Sequence, residues 1–234
     1  MIPTLVAFDL DDTLYKERDF VMSGYRAVAR KLAEVNTAFN YDEMVHVMAH
    51  APLNPFDSLA EYLLNRSIQQ SLNHNYDIPW MVATYRNHFP DISADNAVDV
   101  IEQLSEAGYK IGLITDGRTV TQTNKIKALG LDRLIPADNI SISETIGGEK
   151  YTPLPFERMM KLNPDVRHFI YVGDNPMKDF LWPNRLGWTT IQLIDNGRNV
   201  HSQQVSLPSD DYRPQYRIKS LKALPALLNS TLLS

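Results

Sequence analysis

The chain has no cysteine in its 234 residues. Thiol nucleophiles, zinc–thiolate centres and disulfides are excluded together. It also lacks an excess of positive charge: 23 Lys and Arg stand against 28 Asp and Glu, a formal net charge of -5. No basic surface is on offer to a polyanion, so nucleic acid is not expected as a partner. A small anionic substrate stays open, because the field in a site depends on local groups and bound metal rather than on the total. No apolar run approaches the length of a membrane span. The opening Met1-Ile2-Pro3-Thr4-Leu5-Val6-Ala7-Phe8-Asp9 carries no basic residue ahead of its apolar stretch, as a secretory signal would. No membrane partner and a cytoplasmic location are the expectation. Internal repeats and low-complexity tracts are absent as well.

What is present reads as a globular protein with room for one large domain or two modest ones. Short apolar runs recur at Leu5–Phe8, Ile111–Ile114, Ile140–Ile142, Phe169–Val172 and Thr190–Ile194. Such runs suit strands buried on both faces of a parallel sheet. Helical spacing separates them. One helix carries Ala97, Val100, Ile101 and Leu104, with Ser93 as expected N-cap and Gly108 as stop, and another runs from Val120 to Leu129 and closes at Gly130. From about residue 96 onward, helix and strand alternate, the pattern of a doubly wound α/β domain. Between about 16 and 95 no strand run appears. Val21, Tyr25, Val28, Leu32 and Val35 form an amphipathic stripe there, continued by Met44, Val47, Met48, Leu59, Tyr62 and Leu63. The expected division is therefore an α/β core of residues 1–15 and 96–234, with a helical insert of residues 16–95. A weak strand at Tyr216–Ile218 and a short helix ending near Leu228 close the chain.

Four polar elements stand where strand patterns end. Asp9, Asp11 and Thr13 follow the first strand. If the extended conformation persists, Asp9 and Asp11 share a face, and two such carboxylates call for a cation or a proton between them. Thr115, Asp116 and Gly117 close the second strand with a hydroxyl and free backbone N–H groups that suit phosphate oxygens. Lys150 follows the flexible Gly147-Gly148 turn and could neutralise phosphate charge. Asp174 comes directly after Gly173, with Asp179 beyond it, as oxygen ligands for a hard cation. In open α/β sheets, ligands collect at the carboxyl ends of strands, where all four elements fall. Lys125 and Lys127 compete with Lys150, but their helical surroundings suggest a solvated face. His46 and His50 have zinc spacing, yet Val47 stands where a zinc protease carries Glu, so solvated or packing histidines are expected. Arg118 lies near enough to Thr115 to meet substrate or solvent, and Trp182 and Trp188 read as core.

The ordered set Asp9-Leu10-Asp11-Asp12-Thr13, Thr115, Lys150 and Gly173-Asp174 to Asp179 resembles the haloacid dehalogenase superfamily, mainly phosphatases. The resemblance implies a Rossmann-like α/β core, a doubly wound parallel sheet, with a helical cap of the family's first type inserted after the first strand. It implies that Asp9 is a nucleophile forming an aspartyl-phosphate and that Asp11 is an acid/base. Lys150 offsets charge, and Thr13, Thr115, Asp116 and Gly117 orient the phosphoryl group. It further implies Mg2+ held by Asp9, the backbone carbonyl of Asp11 and Asp174, with Asp179 in support. The expected substrate is a small phosphorylated metabolite, and the expected assembly a monomer or homodimer. Tyr151 follows Lys150 where the family often has Pro, and Asp116 stands where many relatives have Asn. A haloacid dehalogenase, a phosphomutase and a catalytically silent binding module are the alternatives on the same scaffold. Asp11 argues against the first, because halide needs no acid to leave.

Overall fold

The computed structural model describes residues 2–69, 77–94 and 96–232. Residues 70–76 and 95, inside the expected insert, lie outside the described residues. Two compact units emerge, one formed by Met1–Arg18 with Ile92–Ser234 and the other by Asp19–Asp91. Among the described residues, no helix is long and apolar enough to cross a membrane.

In chain order the elements are β1 (Thr4–Phe8), α1 (Glu17–Val35), α2 (Tyr41–Ala49), α3 (Pro55–Gln69), α4 (Ile78–Asn87), α5 (Ala97–Glu106), β2 (Lys110–Thr115) and α6 (Thr119–Ala128). Then follow β3 (Ile140–Ile142), α7 (Ser143–Ile146), α8 (Leu154–Leu162), β4 (His168–Gly173), α9 (Leu181–Arg185), β5 (Thr189–Leu193), β6 (Tyr216–Ile218) and α10 (Leu224–Leu232). The six strands form one sheet in the order β3-β2-β1-β4-β5-β6, every neighbour parallel. Strand β1 is buried along its whole length, which is why it reads as an unbroken apolar run rather than an alternating one. The chain leaves β1 for β2 and β3 on one side and returns to β4, β5 and β6 on the other. That reversal opens a crevice at the carboxyl end of β1, between β2 and β4. Register is tight there, with Phe8 paired to both Leu113 and Val172.

Beneath one face of the sheet, Leu5, Ala7, Ile114, Phe156, Met159 and Tyr171 pack with Trp188. The Trp188 indole stacks on Phe169 at 4.9 Å and meets the Phe156 ring edge-on at 5.6 Å. Its place in the core is the one the sequence suggests, and truncating such a ring costs about 3–5 kcal/mol. Helix α5 starts later than expected. Asn96 occupies its cap position without a side-chain bond, and Ala97 gives its N–H to the Ala94 carbonyl. The cap position is thus Asn96 rather than Ser93.

The second unit has its own core of Val28, Ala29, Leu32, Phe39, Met44, Met48, Phe56, Leu59, Leu63 and Met81. Helix α1 buries Phe20, Gly24, Val28 and Leu32, whereas Val35, at its last turn, is exposed. Gly24 is dictated by packing, since a Cβ there would stand 2.3 Å from the Tyr85 ring. Asn40 caps α2 by accepting the Glu43 N–H. His46 and His50 are exposed and stack on each other at 4.1 Å, the solvated arrangement expected of them.

Candidate active site

Strand β1 ends at Phe8, and the chain does not stay extended. Leu14 N–H reaches back to the Leu10 carbonyl (3.0 Å), so Leu10–Leu14 form a helical turn. The turn is permitted by Asp12, whose φ of 57° is the only positive value at a non-glycine residue among those described. Asp9 and Asp11 nevertheless line one and the same cavity. The turn sends the two carboxylates to different partners.

Asp9, nearly buried, meets the Lys150 Nζ at 2.8 Å, and the same Nζ reaches Asp179 at 2.6 Å. Asp179 is fully buried. It accepts the Asn175 N–H (2.7 Å) at one oxygen and the Tyr171 hydroxyl (3.4 Å) at the one that meets Lys150. Gly173 makes this possible, because a Cβ there would lie 2.6 Å from the Asp179 carboxylate. Asp174 follows, buried, its Oδ2 accepting from Asn199 (2.8 Å). Lys150 also gives its backbone N–H to Asp116 Oδ1 (3.0 Å), so Asp116 is tied to the lysine's own turn.

The electrostatics follow from burial. Desolvation pushes the Asp9 carboxyl up to about 8 against the pull of Lys150, with Asp179 and Asp11 adding to the rise. Burial, with Asp179 and Asp9 nearby, pushes Asp174 up to about 9. Burial also disfavours the Lys150 charge, but Asp179 and Asp9 overcome that and hold it well above the usual lysine range. Three buried carboxylates thus share one ammonium. Oxygens of Asp9, Asp174 and Asp179 lie within 4.8 Å of one another, a hard donor set short of positive charge, which fits a small divalent cation.

Asp11 belongs to a second network. Its Oδ1 accepts from Lys125 Nζ (2.7 Å) and from the Tyr15 hydroxyl, and its Oδ2 accepts from Gln122 (3.0 Å). Burial alone would raise this carboxyl; the Lys125 charge and these hydrogen bonds outweigh it and hold Asp11 below the usual carboxylate range. Lys125 is nearly buried, which corrects the expectation of a solvated face, while Lys127 is exposed. Gln122 and Lys125 lie three apart on α6 and point the same way, into the crevice. Sequence reasoning missed Gln122. Its only signal was that spacing on a helix with few apolar positions.

A cavity of about 110 Å³ joins Asp9, Asp11, Asp116, Lys150 and Asp174 with Asp12, Glu17, Asn175, Lys178 and His201. Thr115 lies buried behind it, its hydroxyl accepting from Gln122 at 2.6 Å. Thr13 does not line this cavity. Its hydroxyl is buried without a hydrogen-bond partner among the described residues, and the residue lines a neighbouring pocket. Gly117, expected to offer a free N–H, gives it to the Ser143 hydroxyl (2.9 Å). Its φ of 144° turns the chain out toward Arg118 and a separate surface pocket. No role was read for Asp12, and the segment around Asn199 and His201 was absent from the sequence reading. The distance along the chain between Asp12 and Val200 leaves no local trace of their bond.

The sequence profile of the family described as haloacid dehalogenase-like hydrolase matches residues 6–192. A glyceraldehyde 3-phosphate phosphatase of Methanopyrus kandleri is 29% identical over 229 residues, covering 91% of each chain. The pyrophosphatase PpaX of Bacillus pumilus is 22% identical over 96% of each. Among solved structures, the magnesium-bound HAD-hydrolase YfnB of Bacillus subtilis superposes with a TM-score of 0.64 at 18% identity, covering 98% of this chain and 100% of that one. A 2-haloacid dehalogenase of Pseudomonas syringae gives 0.62 at 22% identity over 98% and 99%. At these identities the two structures share the fold.

Proposed function

Because the chain belongs to the haloacid dehalogenase-like hydrolases, we propose that it is a magnesium-dependent phosphatase acting on small phosphate monoesters through an aspartyl-phosphate on Asp9. The observation that carries this reading is that two carboxylates lining one cavity are each paired with a buried lysine. Asp9 is held by Lys150, and Asp11 by Lys125. A dehalogenase has no use for the second pair.

In the first step an Asp9 oxygen attacks phosphorus and the ester oxygen leaves with a proton from Asp11, which must first take one up because its network holds it ionised. Lys150 keeps Asp9 aimed and offsets charge as the anionic nucleophile meets an anionic phosphate. In the second step Asp11 takes a proton from water, which attacks the acyl phosphate and frees Asp9. The ionised Asp11 held by Lys125, Tyr15 and Gln122 is the form this second step requires. Asp9, the Asp11 carbonyl and Asp174 would hold Mg2+, with Asp179 orienting Lys150 and the Asn175 turn behind them. Bound there, the ion would supply the positive charge that the buried carboxylates lack.

We assign Thr115 and the Asp116 turn to the phosphoryl group, as the resemblance to the family implies. We assign the second unit, Asp19–Asp91, the part of a substrate-selecting cap, as the resemblance to the family implies. Relatives named for glyceraldehyde 3-phosphate favour an ester of about triose size.

The test is turnover of p-nitrophenyl phosphate and a panel of triose and sugar phosphates with magnesium, in wild type and in Asp9→Asn. Wild type should be active, and the amide variant should fall to background while unfolding at the wild-type temperature. Near-normal turnover by Asp9→Asn would remove the nucleophile from the scheme.

A further inference from the structure

The connection from β5 to β6 spans 194–215, longer than the ~12–15 residues beyond which irregular loops become uncommon and are often functional. Its first part is built rather than slack. Asp195 Oδ1 accepts the N–H groups of Gly197 (2.8 Å), Arg198 (3.0 Å) and Asn199 (3.0 Å). Gln203 closes the segment: its Oε1 accepts the Asp195 N–H (2.9 Å), and its amide nitrogen donates to the Leu193 carbonyl (2.8 Å) and the Asp174 carbonyl (2.9 Å).

From this frame three contacts cross to the site. Asn199 Nδ2 donates to Asp174 Oδ2 (2.8 Å), Asn199 Oδ1 accepts from Lys16 (2.5 Å), and the Val200 N–H donates to Asp12 Oδ2 (2.7 Å). His201, next in the chain, lines the cavity of Asp9, Asp11 and Lys150. We propose that residues 195–203 are a wall of the active site, in which Asn199 is the positioning residue for the Asp174 carboxylate and His201 meets the substrate beyond its phosphate. The proposal rests on the magnesium phosphatase reading.

The chemistry of each residue supports its role. With its donor on Asp174 and its acceptor on Lys16, the Asn199 amide plane cannot flip, so it holds one carboxylate oxygen in a set direction. An amide does this without neutralising Asp174, which leaves the negative charge for a cation; a lysine at 199 would cancel it. Groups that orient a ligand in this way are typically worth 10–100-fold in metal affinity. His201 offers an exposed ring able to donate and accept. It shares the mouth with Glu17, Asn175 and Lys178, a polar rim suited to a hydroxyl- or carbonyl-bearing leaving group.

Magnesium is titrated calorimetrically into chelator-stripped full-length protein, wild type and Asn199→Ala. The variant should bind about 10–100-fold more weakly and keep its unfolding temperature. In parallel, kcat/KM is measured for glycerol phosphate and for phenyl phosphate. His201→Ala should lower the ratio of the first to the second about fivefold to tenfold, the worth of one hydrogen bond. Gln204→Ala, exposed in the same loop, should leave affinity and ratio as in wild type. Magnesium affinity within twofold of wild type in Asn199→Ala would overturn the positioning role, and an unchanged ratio in His201→Ala would overturn the contact. A wild-type chain that bound no magnesium would instead overturn the reading beneath both.

Discussion

Lys125 and Lys150 are equally hidden, each with its side chain 4% exposed, yet they sit in different company. Lys150 lies between Asp9 and Asp179, whose side chains are 7% and 0% exposed. Lys125 faces Asp11, 21% exposed, with the Tyr15 ring 5.9 Å away. The first is an ion cluster closed to water except where Asp9 and Lys150 line the cavity, behind the oxygen proposed to react. The second is open on one side, where the proposed mechanism would pass a proton to and from the substrate. A sealed cluster holds geometry, because any movement would strand a charge without water. A half-open pair can exchange its proton, because water can replace the lysine. On the proposed mechanism, one site would divide rigidity and proton traffic between its two lysines.

The largest effect expected from breaking that division comes from Lys150→Met. Asp9 and Asp179 would face each other without a cation, a defect typically costing about 3–5 kcal/mol. Urea denaturation should show that loss, and turnover should fall to background. A loss below about 1 kcal/mol would mean that the cluster is not sealed.

Asp11→Asn tests the open half. Turnover of an alkyl phosphate should fall by about 10²–10⁴-fold, the usual worth of an acid/base residue. With p-nitrophenyl phosphate, whose leaving group needs no proton, the variant should release about one equivalent per site and then stop. Continuous turnover at the wild-type rate would strip Asp11 of its role.

Lys125→Met should do less. Water can reach Asp11, so the stability cost should be about 1–3 kcal/mol, the range for one stranded polar group. Asp11 is held below its ordinary 3.8 in the folded chain. The stability it contributes is therefore present above that value and lost as pH falls through the lowered one. The gap between wild type and variant should narrow below about pH 4, where Asp11 takes up its proton. A gap that stayed constant down to pH 2 would make the lysine a packing residue only.

The smallest effect is a thermal shift. The Asp9 and Asp174 carboxyls are raised to about 8 and about 9, so the folded chain keeps protons that the unfolded chain has released. Without magnesium, stability should then fall as pH rises from about 4 toward 9. Magnesium competes with those protons, so it should raise the unfolding temperature by a few degrees more at pH 9 than at pH 6. Equal shifts at both pH values would place the ion away from Asp9 and Asp174.

Much of the core was readable from the chain alone. Five of the six strands of the parallel sheet announce themselves as short apolar runs, and the residues proposed to react stand where four of those runs end or soon after. Less of the site was readable. The reading that put Asp9 and Asp11 together could not name their partners, which belong to α6 and to the turn that carries Lys150. Lys125 looked solvated because helical spacing does not say what a helix faces. Gly117 looked free because its Ser143 partner belongs to a later element.

Order along the chain was enough to select the family, the sheet and the residues at its carboxyl edge, because strand burial and motif spacing are local or periodic properties. Pairing needed the fold. Which lysine meets which aspartate, and that Asn199 and Val200 reach Asp174 and Asp12, depend on contacts between segments far apart in sequence. Such contacts are fixed by packing, by the desolvation of buried charge and by the turns between elements, none of which leaves a repeating mark on the residues themselves.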